Sequence, residues 1–183
     1  MAMITETREA ENSTAAPAAE TKLITWTGFP FRVRPAGPED RAAISELFEN
    51  VSLEDRRLRF LSPIQKLDRD LLKRMTEVDH DRTENFLAFH RDILVASAML
   101  AADEAGERAE VAISIRADHK HRGIGWALLD YVARQAEQKG IKLIESIESR
   151  DNVEAISLEK EMGFTATNYP GDATLVLLQK KLP

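Results

Sequence analysis

The 183-residue chain carries 31 acidic against 25 basic side chains, a formal net charge of −6, and no cysteine. That balance argues against a general nucleic-acid or membrane-surface binder, and the missing thiols exclude disulfides, zinc–thiolate sites and a cysteine nucleophile. Hydrophobic residues make up 43 %, enough for the core of one domain. No apolar run approaches the roughly 20 residues of a membrane helix, and the start lacks an apolar signal core, so the expected location is cytoplasmic.

Residues 1–21 are rich in Ala, Glu and Thr without an apolar stripe, so they read as a disordered tail ahead of one domain at 22–183. Leu23 to Thr27 and Phe31 to Arg34 read as strands around a turn at Gly28, stopped by Pro35 and Pro38. A helix is expected from Pro38 to about Glu49, with Ile44, Leu47 and Phe48 on one face. A second runs from Ser52 to Phe60, capped by Ser52, with an apolar face of Leu53, Leu58 and Leu61. A third, about Asp68 to Thr76, spaces Leu67, Leu71, Leu72 and Met75 helically.

Asn85 to His90 and Ile93 to Ala101 form a hairpin across Arg91-Asp92. From Ala109 to Arg116, Val111, Ile113 and Ile115 alternate with Ala112, Ser114 and Arg116, the period of a strand. A long helix from Gly123 to about Lys139 has an apolar face of Ile124, Ala127, Leu128, Tyr131 and Val132 and ends at Gly140. A strand at Ile141 to Glu148, a helix at Val153 to Met162, and strands at Phe164 to Tyr169 and Thr174 to Lys180 complete a mixed α/β (α+β) sheet flanked by helices.

The segment from Val111 to Leu129 runs a buried strand through a loop with Gly123 and Gly125 into a helix. The first N–H groups of a helix have no carbonyl partner, and the helix dipole adds positive potential there. Glycines let a phosphate approach that backbone, and Lys120 and Arg122 add charge. Gly-x-Gly alone is equally served by a tight strand-to-helix turn. The Rossmann pattern is broken by Leu128, and the Gly-Lys-Ser/Thr of a P-loop is missing.

His121-Arg-Gly-Ile-Gly-Trp-Ala-Leu-Leu129 resembles the pyrophosphate loop of the GCN5-related N-acetyltransferase (GNAT) family. Asn152-x-x-Ala155-x-x-Leu158, followed by Lys160 and Gly163-Phe164, resembles the element on the other side of its cofactor. The resemblance spans about Phe31 to Lys180 and implies the GNAT fold, a mostly antiparallel central sheet flanked by helices. It implies acetyl-CoA as co-substrate without a metal. It also implies backbone pairing of Ile113 and Ile115 with the acetyl and pantetheine amides. The backbone around Arg122, Gly123, Ile124, Gly125, Trp126 and Ala127, with Lys120, would hold the pyrophosphate. Asn152 would bond the pantetheine arm. Lys120 stands where the family has Arg or Gln. Glu159 stands where it often has a tyrosine acid, so that acid is excluded and Glu159 reads as a solvated helix residue.

An amine acceptor is neutral in only about one part in a thousand at neutral pH when its pKa is near 10.4, so a nearby base helps. Glu110, opening the central strand beside the cofactor motif, is the candidate; the plainer alternative is a charged strand end. His80, His90, His119 and His121 lack metal spacing and read as solvated. Arg57 to Pro63, Leu71-Leu72 and Val78 to Arg82 resemble bacterial Pat-type protein lysine acetyltransferases, which modify AMP-forming acyl-CoA synthetases. That resemblance makes a protein lysine the expected acceptor, and Asp79 to Arg82 a candidate substrate contact. A small amine as acceptor, or a non-catalytic acetyl-CoA sensor, is the alternative.

Overall fold

A computed structural model describes residues 20–63 and 65–183. The expected tail lies outside them except for Glu20 and Thr21, and Thr21 already opens a strand. The strands are β1 (Thr21–Ile24), β2 (Pro30–Pro35), β3 (Thr83–His90), β4 (Ile93–Ala102), β5 (Arg108–Ile115), β6 (Leu143–Ser149), β7 (Thr165–Asn168) and β8 (Leu175–Lys181). They form one sheet in the order β1-β2-β3-β4-β5-β6-β8-β7, antiparallel throughout except between β5 and β6. The helices are α1 (Arg41–Glu49), α2 (Leu53–Phe60), α3 (Arg69–Thr76), α4 (Ile124–Gln138) and α5 (Val153–Glu161). This is the α+β architecture of the GNAT fold.

Two cores flank the sheet. On one face α4 buries Ile124, Leu128, Tyr131 and Val132 against Phe86, Val95, Val111 and Ile144. On the other, Ile44, Leu47 and Phe48 of α1 and Met75 of α3 pack with Leu87 and Leu94. Each such side chain removed from water contributes about 1.5–3 kcal/mol, so these stripes fix which face each helix covers. The β3–β4 turn falls on Arg91, whose φ of 54° is left-handed.

Local expectations change at two helices. The first helix begins as a 3-10 turn at Pro38–Asp40, because the Asp40 carboxylate accepts the Gly37 N–H at 2.8 Å and both donors of the Arg34 fork at 2.6 and 2.8 Å. Burial acts to raise the Asp40 pKa, but Arg34 and the Gly37 N–H outweigh it and hold it below the usual value. On α2, Ser52 caps as expected, accepting the Asp55 N–H at 3.0 Å. Of its expected apolar face only Leu58 is buried, together with Arg56, which donates to the Gln65 carbonyl; Leu53 is 64 % exposed and Leu61 is also exposed.

Candidate active site

β5 and β6 are the only parallel neighbours among the described strands, and they pair over three positions alone, Arg108 with Leu143, Ala109 with Ile144 and Glu110 with Glu145. Beyond Glu110 the strands splay into a slot. Arg116 donates its N–H to Val95 of β4 at 2.9 Å. Alternation along an extended strand then turns the N–H and C=O groups of Ile115 and Ile113 toward the slot. A backbone edge in a cleft needs hydrogen-bond partners, and an extended ligand with amides supplies them as an added strand would.

The slot is a cleft of about 220 Å³ between β5, β6, α2 and the first turns of α4 and α5. Ile113 and Ile115 pack with the α4 core, so the alternate residues Glu110, Ala112 and Ser114 turn to the opposite face, where α2 lies. The slot therefore opens on both faces of the sheet.

At the α4 face the glycine loop has the geometry of an anion cradle. Gly123 has a φ of 78°, and an added Cβ would lie 2.8 Å from Trp26 Nε1. At Gly125 a Cβ would lie 3.2 Å from Ile115 Cδ1 and 3.4 Å from Leu158 Cδ1. Among the described residues, no acceptor takes the N–H groups of Arg122, Gly123, Ile124, Gly125 and Trp126. Ala127, expected among the phosphate donors, instead gives its N–H to the Gly123 carbonyl at 3.1 Å. The β1–β2 turn buttresses the loop: Thr27 Oγ1 donates to the Arg122 carbonyl at 2.7 Å, and the Arg122 guanidinium lies 5.1 Å from the Phe29 ring centroid.

Lys120 is engaged by carboxylates of two helices. Its ammonium pairs with Asp55 at 3.1 Å and Glu154 at 3.3 Å, tying α2 to α5 across the cleft mouth. Burial opposes its charge, but these carboxylates raise its pKa above the usual value.

Inside the slot, Glu110 and Asn152 stand with Arg59 and Glu148, which sequence patterns alone did not single out, and with Glu159. Glu110 lies at the apex, the last paired residue of β5. Arg59 reaches in from α2; burial lowers its pKa, and the charges of Glu110 and Glu148 counter that effect. Glu148 accepts the Asn152 amide at 2.7 Å, and burial carries its pKa to about 7 against Asn152 and Arg59. Glu159 is 6 % exposed and accepts a hydrogen bond from Ser146 Oγ. Burial raises it to about 7 as well, Ser146 opposing and Glu148 adding to the rise. Glu159 is thus no solvated helix residue.

The signal for both carboxyls was present. Ala155, Leu158, Glu159 and Met162 fall at i, i+3, i+4 and i+7, which puts Glu159 on the buried stripe of α5. Ile144, Ser146 and Glu148 alternate on one face of β6.

Among the histidines, His121 is exposed as expected. His119 is not, since its side chain is 12 % exposed and sits against Phe29 and Asp118. The Asp79 to Arg82 loop has a structural account: Asp79 accepts the N–H groups of Asp81, Arg82 and Thr83, and Lys139 bonds the carbonyls of His80 and Asp81. Lys139 follows the end of α4 opposite the glycine loop, so this segment lies away from the cleft. No cluster suited to a metal ion occurs, and no helix is long and apolar enough to cross a membrane, among the described residues.

Residues 48–164 match the profile of the acetyltransferase (GNAT) family. Among solved structures, the chain is similar to the GNAT domain of S. lividans PAT, with 25 % identity and a TM-score of 0.84 over 89 % of this chain and 97 % of that one. It is similar to a cAMP-binding acyltransferase from Mycobacterium smegmatis (21 % identity, TM-score 0.62), covering 91 % of this chain but 48 % of that one. YncA from Salmonella typhimurium, solved with its cofactor acetyl-CoA, shares the fold at 18 % identity and a TM-score of 0.65, over 84 % of this chain and 94 % of that one.

Proposed function

The chain belongs to the GNAT acetyltransferase family, and we propose that it moves an acetyl group from acetyl-CoA to a protein lysine, with an AMP-forming acyl-CoA synthetase as acceptor. The observation that carries this reading is the slot open on both faces of the sheet. The unpaired edge of β5 suits the pantetheine amides, and the free N–H groups from Arg122 to Trp126 suit the pyrophosphate. Gly125 leaves a space that a side chain would close. The co-substrate therefore fits the residues present.

An acceptor amine then enters from the α2 face, where Glu110 takes its proton as nitrogen attacks the acetyl carbonyl. Leu61, just past the end of α2, is exposed and lines the cleft, apolar surface suited to a protein partner. Likeness to the GNAT domain of S. lividans PAT over nearly its whole length agrees with the Pat-type resemblance on which this acceptor rests. The excess of carboxyls in the cleft over Arg59 and Lys120 suits any ammonium, which keeps a small amine as the second reading.

The test is incubation of the full chain with labelled acetyl-CoA and an AMP-forming acyl-CoA synthetase, beside the same synthetase with its catalytic lysine changed to arginine. Label on the first alone is expected. Label on neither, with CoA released by a small-amine panel, moves the acceptor to the second reading.

A further inference from the structure

The turn between β1 and β2 is joined to the glycine loop through three of its residues. Thr27 Oγ1 donates to the Arg122 carbonyl, the Arg122 guanidinium lies against the Phe29 ring, and Trp26 meets Gly123. A Cβ added at Gly123 would lie 2.8 Å from Trp26 Nε1 and 3.0 Å from its Cδ1, so the bare backbone of Gly123 is what lets one edge of the indole seat there. The turn itself is braced: the Thr25 N–H donates to the Phe29 carbonyl at 2.9 Å, and the Phe29 N–H donates to Thr25 Oγ1 at 3.1 Å. Yet Trp26 is 80 % exposed. A large apolar ring held at one edge on a braced turn, and otherwise left in water, presents a free stacking face.

The two glycines also set the direction of a ligand along the loop. The side of Gly125 that a Cβ would occupy faces Ile115 and Leu158, which line the slot; that of Gly123 faces Trp26 and Thr25. The unengaged N–H groups run from Arg122 to Trp126, past both glycines. A pyrophosphate on this row, with its pantetheine arm entering the slot beside Gly125, sends its other substituent out at the Gly123 end. That substituent is the adenosine of CoA. At the Gly123 end it meets the indole of Trp26. Arg122, next in the chain to Gly123, adds positive charge there for the ribose phosphate. Its guanidinium has one polar contact among the described residues, the Asp118 carbonyl at 3.4 Å.

We propose that Trp26 is the platform on which the adenine ring of acetyl-CoA stacks, a binding residue supplied by the first hairpin. The inference rests on acetyl-CoA as the co-substrate, as read above. The indole covers the base and lies far along the ligand from the reacting thioester. It therefore acts on affinity and KM and leaves kcat alone.

The experiment titrates acetyl-CoA, adenosine diphosphate and acetyl-phosphopantetheine into the full chain and its Trp26 variants. The last ligand keeps a phosphate and the pantetheine arm but has no base. For Trp26→Ala, Kd should rise about 10-fold for acetyl-CoA and for adenosine diphosphate, equivalent to about 1.4 kcal/mol, and stay within about twofold of wild type for acetyl-phosphopantetheine. Trp26→Phe keeps a smaller stacking face and should fall between wild type and Trp26→Ala. Steady-state CoA release should show the same rise in KM with kcat unchanged at saturating acetyl-CoA. Melting curves should stay near wild type, because the side chain is largely in water.

An equal loss of affinity for acetyl-phosphopantetheine would mean that the indole only shapes the loop through Gly123, and overturns the stacking role. Unchanged affinity for all three ligands in Trp26→Ala also overturns it; a fall in label on the protein acceptor alongside would assign the indole to the acceptor's surface. A wild type that binds none of the three overturns the acetyl-CoA reading, and the stacking role with it.

Discussion

Glu110→Gln lowers kcat by roughly 10²–10⁴-fold and leaves the affinity for acetyl-CoA unchanged. The isosteric amide keeps the size of the side chain at the apex of the slot and removes its ability to accept a proton. Glu110 ends the β5–β6 pairing and turns toward α2, away from the glycine loop, so the change leaves the phosphate cradle intact. An acceptor with a pKa near 10.4 arrives protonated, a deficit of about 4 kcal/mol at neutral pH, and the base works against that deficit. The check is steady-state CoA release beside a binding titration. Turnover within about threefold of wild type would remove Glu110 from catalysis. Loss of binding in step with turnover would make it a structural residue.

Gly125→Val weakens acetyl-CoA binding by about 100-fold, equivalent to about 2.7 kcal/mol. The first added carbon already lies 3.2 Å from Ile115 Cδ1 and 3.4 Å from Leu158 Cδ1. The two further methyls of valine have no space except the slot itself or the neighbours they displace. Gly125→Ala carries only the first carbon and should weaken binding less. The graded pair separates a filled cradle from a misfolded loop: melting curves near wild type with a stepwise rise in Kd are expected. Equal affinities in all three proteins would mean that the ligand does not use this cradle.

The glycine loop was legible in the sequence because its chemistry is local. A strand, Gly123, Gly125 and a helix start lie within a few residues, and spacing alone places them. The strand Val111 to Ile115 was legible for the same reason, through its period of two. What escaped depends on contacts between distant segments. Lys120 reads as a phosphate ligand until Asp55 and Glu154 arrive from α2 and α5 to engage it. His119 reads as solvated until Phe29, from the β1–β2 turn, covers it.

Glu159 is a different case. Its position on the apolar stripe of α5 was visible, but a charge on a helix is ordinarily a surface residue. Only the buried Ser146 hydroxyl beneath it explains how a carboxyl is tolerated there. The slot itself has no sequence signature. Parallel pairing that stops after three residues is a property of two strands together, and neither β5 nor β6 alone announces where they separate.

Everything proposed for the slot depends on acetyl-CoA lying along the free edge of β5, and two-dimensional amide spectra of the full chain with and without acetyl-CoA read that edge residue by residue. The N–H resonances of Ile113 and Ile115 should shift and become protected from exchange, together with those of Gly123 to Trp126. Adenosine diphosphate alone should move the loop set and leave Ile113 and Ile115 unmoved. Shifts confined to another surface, with Ile113 and Ile115 unchanged at saturation, would contradict this placement.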